Sequence, residues 1–326
     1  MEIGSFIEMQ FEQGKEYYSG DNVIRLNSGR AGIYHAIRSL DCDTVWLPFY
    51  QCETVREFLN QKKIKIKYYK IDQNYNPINV NISPSEAIVL VNYFGIMKLQ
   101  RMQDLASNYQ NVIIDNCQAF FATPIAGCMN VYSARKFIGV PDGAYVVGEK
   151  LLKKDIYERD YSSDTSLFLL KRLEYGCEGE TYQEREKNEE RINQSDIKLM
   201  SVLTQRILDG TNYDFIMKKR KENFEMADEL LGNMNLIDVN QYFDNTCVPM
   251  IYPFVVERDD LLPKLLENKI FQGHWWSYLL KETEQQDHEY WLSRYMIPIS
   301  IDQRYSRKEL VYTKNIISEF LNEKED

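Results

Sequence analysis

The chain has 326 residues, 44% of them apolar and 27% charged, the balance of an ordinary globular protein with a core of its own. A formal charge of −10 argues against nucleic-acid binding, where a basic face is the usual footprint, though it leaves room for a small anionic ligand held by a helix N-terminus. This length suits one large domain and a smaller one.

Cys42, Cys52, Cys117, Cys128, Cys177 and Cys247 are scattered singly and read as reduced thiols rather than a disulfide frame. His35, His274 and His288 lie too far apart for metal-ligand spacing, so no metal site is expected. The amino-terminal MEIGSFIE lacks the basic-then-apolar plan of a signal peptide, and no apolar run approaches the ~20 residues of a membrane span. A cytoplasmic protein is expected.

In chain order, LNSGRAG at 26–32 precedes a helical pattern in which Ile33, Ala36, Ile37 and Leu40 share a face. TVWLP at 44–48 is a short strand ending in proline, with a helix over 53–63 after it. IKIKYYKI at 64–71 alternates with period two, as a half-buried strand does, whereas AIVLV at 87–91 reads as a strand buried on both faces. A polar helix over 99–108 leads to a strand at 111–114, and further strands are expected at 129–133 and 144–147. Strands alternating with helices predict an α/β fold, a mostly parallel sheet flanked by helices.

From 149 to 196 the chain turns charge-dense, with EREKNEER at 184–191, and a solvated helix laced with ion pairs is expected. Amphipathic helices are predicted over 197–208 and 215–231. A second, smaller α/β unit follows, with strands at 250–256 and 296–301, a helix at 261–268 and a closing helix over 308–322. The boundary falls near residue 215, giving a large domain at 1–215 and a small C-terminal domain at 216–326.

Ligands in such sheets gather at the carboxyl ends of the strands. Asp115 directly follows NVII, Ser133 ends MNVYS, and Asn92 and Tyr93 follow AIVLV, so three polar sets emerge on one edge. Lys136 stands three residues beyond Ser133 in the glycine-bearing run YSARKFIGVPDG. A post-strand carboxylate and a post-strand lysine are what a pyridoxal phosphate enzyme needs. The amine condenses with the cofactor aldehyde, and the carboxylate keeps the pyridine nitrogen protonated. Ser28, Gly29 and Arg30 open the first helix, where free N–H groups and the helix dipole favour a phosphate; capping by Ser28 is the ordinary alternative.

The order SGRA at 28–31, PFYQC at 48–52, DNCQA at 115–119 and Ser133-x-x-Lys136 resembles the DegT/StrS family of sugar aminotransferases, pyridoxal phosphate enzymes of fold type I. Tyr182 to Asn188, Arg220 with Asn223, and IPISIDQRY at 297–305 extend the likeness over most of the chain. The resemblance implies that Lys136 carries the cofactor and shuttles the proton, Asp115 meets the ring nitrogen, and Gln118 reaches the ring face or its phenolic oxygen. It implies too that the Gly29 and Arg30 amides and the Ser133 hydroxyl take the phosphate, and that Tyr50 or Cys52 lies against the ring.

The implied reaction moves an amino group from an amino acid, L-glutamate first among them, to a keto sugar carried on a nucleotide, in surface polysaccharide or related sugar biosynthesis. The implied assembly is a homodimer with each site completed by the partner. Many members have a longer Ser-to-Lys loop ending in Glu-Gly-Gly; here it is short and ends Pro141-Asp142-Gly143, a form found in a shorter branch. Two rivals stand beside this reading. A sugar-deoxygenating branch has histidine in place of the lysine, which Lys136 argues against. A degenerate member would bind cofactor or nucleotide sugar without transamination.

Overall fold

The computed structural model describes residues 3–153 and 156–322; Met1 and Glu2 of the amino-terminal segment, and Lys154 and Asp155 of the charged stretch, lie outside the described residues. The first half of the chain alternates as its patterning predicts. It runs through β1 (Val23–Leu26), α1 (Gly29–Ser39), β2 (Thr44–Pro48), α2 (Glu53–Gln61), β3 (Lys65–Ile71), the short β4 (Pro77–Ile78), β5 (Glu86–Val91), α3 (Leu99–Ser107), β6 (Val112–Asn116), β7 (Met129–Ser133) and β8 (Ala144–Val147).

These strands form one eight-stranded sheet in the order β1-β8-β7-β6-β5-β2-β3-β4. The central five, β7-β6-β5-β2-β3, run parallel. β8 runs against both of its neighbours, and β4 folds back on β3 at the far edge. Every residue of β5, β6, β7 and β8 is buried, as continuous Val and Ile runs demand when helices cover both faces. Each such aliphatic side chain removed from water stabilises the fold by roughly 1.5–3 kcal/mol.

α1 lies unusually close to this sheet because Gly32 has no side chain: a Cβ there would sit 2.7 Å from Cγ1 of Val131 and 3.3 Å from Cγ2 of Val146.

The charged stretch contains two helices packed on each other, α4 (Leu167–Tyr175) and α5 (Glu180–Gln194). α5 carries the expected surface ion pairs, Lys187 to Glu184 at 2.8 Å and Lys171 to Glu180 at 2.9 Å. It also turns a buried stripe inward: Thr181, Asn188 and Ile192. The next helix departs from the sequence reading. α6 spans Val202–Asp209, and Leu199 lies extended, bridging Leu26 and Arg159. The helix cannot begin earlier because Ser201 is its N-cap, accepting from the Thr204 N–H, while the Ser201 N–H and hydroxyl both donate to the buried carboxylate of Asp142.

The remainder holds the long α7 (Tyr213–Leu231), β9 (Ile251–Val255), α8 (Leu261–Glu267), α9 (Leu279–Glu282), α10 (His288–Tyr295), β10 (Met296–Ser300) and α11 (Arg307–Asn322). β9 and β10 pair antiparallel from Met296 opposite Val255 to Ser300 opposite Ile251, and α7 packs on α11 and β9.

Candidate active site

Sheet register brings the strand ends level. Val91 stands opposite Asp115, Asn116 opposite Tyr132, and both Ser133 and Leu26 opposite Ala144. The exits of β1, β5, β6 and β7 therefore share one edge, with the start of β8 among them.

Asp115 is 6% exposed at the end of β6. Its Oδ1 accepts from the Cys117 N–H at 3.0 Å and its Oδ2 from the Gln51 side-chain amide at 2.9 Å. Both partners are neutral donors. Lys136 ends a single 3-10 turn, Ala134–Lys136, directly after β7; it is exposed, and among the described residues no hydrogen bond or ion pair holds its ammonium. Both groups act on the thiol of Cys117: burial pushes that thiol well above its ordinary range, the Asp115 charge pushes the same way, and Lys136 opposes them. Charges from two strand exits are thus both felt at this thiol.

The start of α1 lies against the same thiol. Ser28 is its N-cap; its hydroxyl accepts from the Ala31 N–H at 3.4 Å and its carbonyl from the Gly32 N–H at 3.0 Å. That leaves the Gly29 and Arg30 amides as the two of the first turn that no bond within the helix takes. A Cβ on Gly29 would lie 2.5 Å from Sγ of Cys117 and 4.0 Å from Cβ of Ser133, so helix start, thiol and β7 exit are in contact. The Arg30 side chain turns away, donating to Asn193 Oδ1 at 2.8 Å and to the Ile192 carbonyl, with its guanidinium 5.2 Å from the centre of the Phe58 ring.

The two candidates in the 48–52 turn separate. Tyr50 is wholly buried, its ring 4.4 Å from that of Trp276 and 5.6 Å from that of Tyr93, and its hydroxyl has no hydrogen-bond partner. Cys52, at the N-cap of α2, is half-buried, and its thiol lies 3.2 Å from the Thr54 hydroxyl. The Gln118 side chain uses its Oε1 to accept from the Phe94 N–H at 2.7 Å, holding Phe94 in left-handed backbone geometry (φ 59) after β5. The physical reason is local. A strained turn leaves an amide unpaired, and the side chain of Gln118 satisfies it.

Residues outside that set fasten the lysine loop. The Gln303 side chain donates to the Phe137 carbonyl at 2.9 Å and accepts from Arg220 Nε at 3.1 Å, and the Arg220 guanidinium sits 4.4 Å from the centre of the Phe137 ring. Burial lowers the Arg220 pKa to about 10. Asn188 donates to the Pro141 carbonyl at 2.8 Å. Asp142 accepts from Ser201 and from the Thr204 hydroxyl, and its pKa stays raised because burial outweighs those bonds. Lys136 is therefore a free side chain on a pinned backbone.

Gln51, Arg220, Asn188 and Gln303 all lie in the stretches that carry the resemblance, and their partners are set by the fold rather than by any local pattern. His35 donates to or accepts from the Tyr157 hydroxyl at 3.0 Å, away from this cluster, and burial takes its pKa down to about 4. Among the described residues no group of three or more His, Cys, Asp or Glu is arranged to hold a metal ion, and no helix is long and apolar enough to cross a membrane.

No family model matches the chain, and no curated protein matches it in sequence. Solved structures do resemble it. The sugar aminotransferase CalS13 from Micromonospora echinospora superposes with a TM-score of 0.60 at 15% identity, over 91% of this chain and 86% of that one. GDP-4-keto-6-deoxy-D-mannose-3-dehydratase from E. coli, with bound hydrated PLP, gives 0.59 at 14% identity, over 90% and 87%. A DegT/DnrJ/EryC1/StrS aminotransferase from Brucella abortus gives 0.58 at 13%, over 91% and 85%. The chain has the fold of these enzymes. It is the expected architecture, a large mixed sheet flanked by helices with a smaller C-terminal unit, and at such identities the likeness is one of fold.

Proposed function

We propose that the protein is a pyridoxal phosphate-dependent aminotransferase that moves an amino group from an amino acid, L-glutamate first, to a nucleotide-linked keto sugar in surface polysaccharide or related sugar biosynthesis. The observation that supports this reading is that Asp115 and the Gly29 helix start both touch Cys117, one turn of chain from the strand exit that carries Lys136. Pyridoxal phosphate suits that set on three counts. A buried carboxylate is held by neutral donors only, a lysine amine is unpaired, and the helix start is so close to its neighbours that a Cβ at Gly29 has no room. The cofactor supplies an aldehyde and an electron-withdrawing ring.

In this reading Lys136 bonds the aldehyde and afterwards carries the proton to and from the substrate carbon. Asp115 faces the ring nitrogen, the Gly29 and Arg30 amides with the Ser133 hydroxyl take the phosphate, and Cys52 rather than the packed Tyr50 lies against the ring. A lysine ammonium in water is a poor base, so in this reading Lys136 works once the site is closed over it. A second copy of the chain would supply that cover. None of the residues of α4 is buried, although Leu167, Leu170, Leu173 and Tyr175 lie along it, and Leu169 stands 3.7 Å from where a Cβ on Gly139 would be, beside the lysine loop. A homodimer packed through α4 fits these facts. Residues 1–215 form the cofactor domain and 216–326 the small domain, and the enzyme works in the cytoplasm.

Lys136 also separates the aminotransferase from its deoxygenating relatives in fold, since the sequence reading gives that chemistry a histidine at this place. Purified protein incubated with pyridoxal phosphate should turn yellow and lose that colour on addition of L-glutamate. Protein that stays colourless, or that turns yellow and keeps its colour with L-glutamate, is the degenerate form, and the proposal then fails.

A further inference from the structure

Gln51 is 5% exposed and spends its side-chain amide on Oδ2 of Asp115 at 2.9 Å, while the Cys117 N–H holds Oδ1 at 3.0 Å. The two bonds fix the carboxylate plane from both oxygens. Neither donor is charged. A lysine or arginine in place of Gln51 would cancel the carboxylate's charge, whereas an amide orients it and leaves it whole.

The backbone of Gln51 is itself held. Its N–H donates to the Phe49 carbonyl at 2.9 Å, and its carbonyl accepts from the Tyr278 hydroxyl at 2.7 Å. That hydroxyl also reaches the Phe49 carbonyl at 3.1 Å, and the Tyr278 ring lies 4.1 Å under the Arg56 guanidinium, which pairs with Glu53 at 2.7 Å and with Glu282. A residue from just before α9 thus grips the turn that aims Gln51 at Asp115.

We propose that Gln51 is a positioning residue for Asp115, and that Tyr278 is the contact through which the C-terminal half of the chain sets its aim. This rests on the cofactor reading above. Among the described residues the titratable groups that feel the Asp115 charge include Tyr69, Tyr93 and Cys117, all shifted upward first by burial, with the Lys136 charge opposing the shift at Cys117.

The test uses the full chain and two measurements besides turnover: the dissociation constant for pyridoxal phosphate, and the midpoint of the cofactor's absorbance change with pH. Gln51→Met keeps the side chain's length and removes the donor. It should weaken cofactor binding by about tenfold or more, the scale of one hydrogen bond to a charged group, and should displace the pH midpoint. Tyr278→Phe, which loses only a hydroxyl, should move both quantities in the same direction by about two- to fivefold in affinity. Gln51→Glu sets a second carboxylate against the first and should displace the midpoint furthest.

A Gln51→Met protein that binds cofactor as the wild type does, with the same midpoint, overturns the role of Gln51 alone. A wild type that takes up no pyridoxal phosphate overturns the cofactor reading and this proposal together. Unchanged melting temperatures accompanied by displaced midpoints separate positioning from a loss of fold.

Discussion

The two halves of the candidate site are built on opposite terms. Asp115 is buried, with each carboxylate oxygen taken by a neutral donor; Lys136, a strand away, is exposed and holds no partner among the described residues. What surrounds the lysine is nonetheless as firmly held as the acid, through Gln303 on Phe137, Asn188 on Pro141 and Ser201 on Asp142. The contrast teaches where order is spent. The chain organises the acid by itself, and on the amine side it organises only the backbone.

The largest effect is expected at the free end. Lys136→Ala should abolish the glutamate half-reaction with the melting temperature near that of the wild type, and unchanged conversion would remove the assignment. Asp115→Asn should slow proton abstraction by orders of magnitude and loosen the cofactor, read from single-turnover rates and retention on gel filtration, because the ring is no longer held as a cation.

The shared contact between the halves is the next to break. Gly29→Ala puts a methyl 2.5 Å from Sγ of Cys117, and should cost about 1–3 kcal/mol of stability in denaturant titrations as well as weakening phosphate binding. Gln303→Ala frees the Phe137 carbonyl and leaves Arg220 Nε unpaired, costing about 1–3 kcal/mol while sparing cofactor affinity more than Gly29→Ala does.

The smallest effect is a control at the opposite edge of the sheet. Lys67 and Trp46 hold the Glu86 carboxyl down at about 2, from an ordinary value of 4.5. A depressed acid lends stability that is fully present above its unfolded pKa and is lost as pH falls through the folded one. Glu86→Gln should therefore flatten the decline of melting temperature between about pH 4.5 and 2 without touching the site.

Much of this architecture is legible in the residues. TVWLP, MNVYS and AYVV end where a proline or a polar turn ends them, and their strands have those bounds. The post-strand positions of Asp115 and Ser133 follow from the same runs. What the pattern hides is set at long range. Nothing local announces that Ser201 caps α6 because Asp142 needs its hydroxyl, so the helix reads as beginning too soon. Gln51 meets an acid 64 positions away, and Gln118 is spent on the backbone of Phe94. An amide side chain has no hydropathy signature that says which of several partners it will find.

Because β8 runs against β7, their connection needs no crossover helix, and the lysine rides on a hairpin whose two legs are neighbours in register at Ser133 and Ala144. The reach of the amine is thus governed by a handful of residues between adjacent strands. Adding or deleting one of them would raise or lower the lysine like the hook on a crane, with the rest of the sheet left standing.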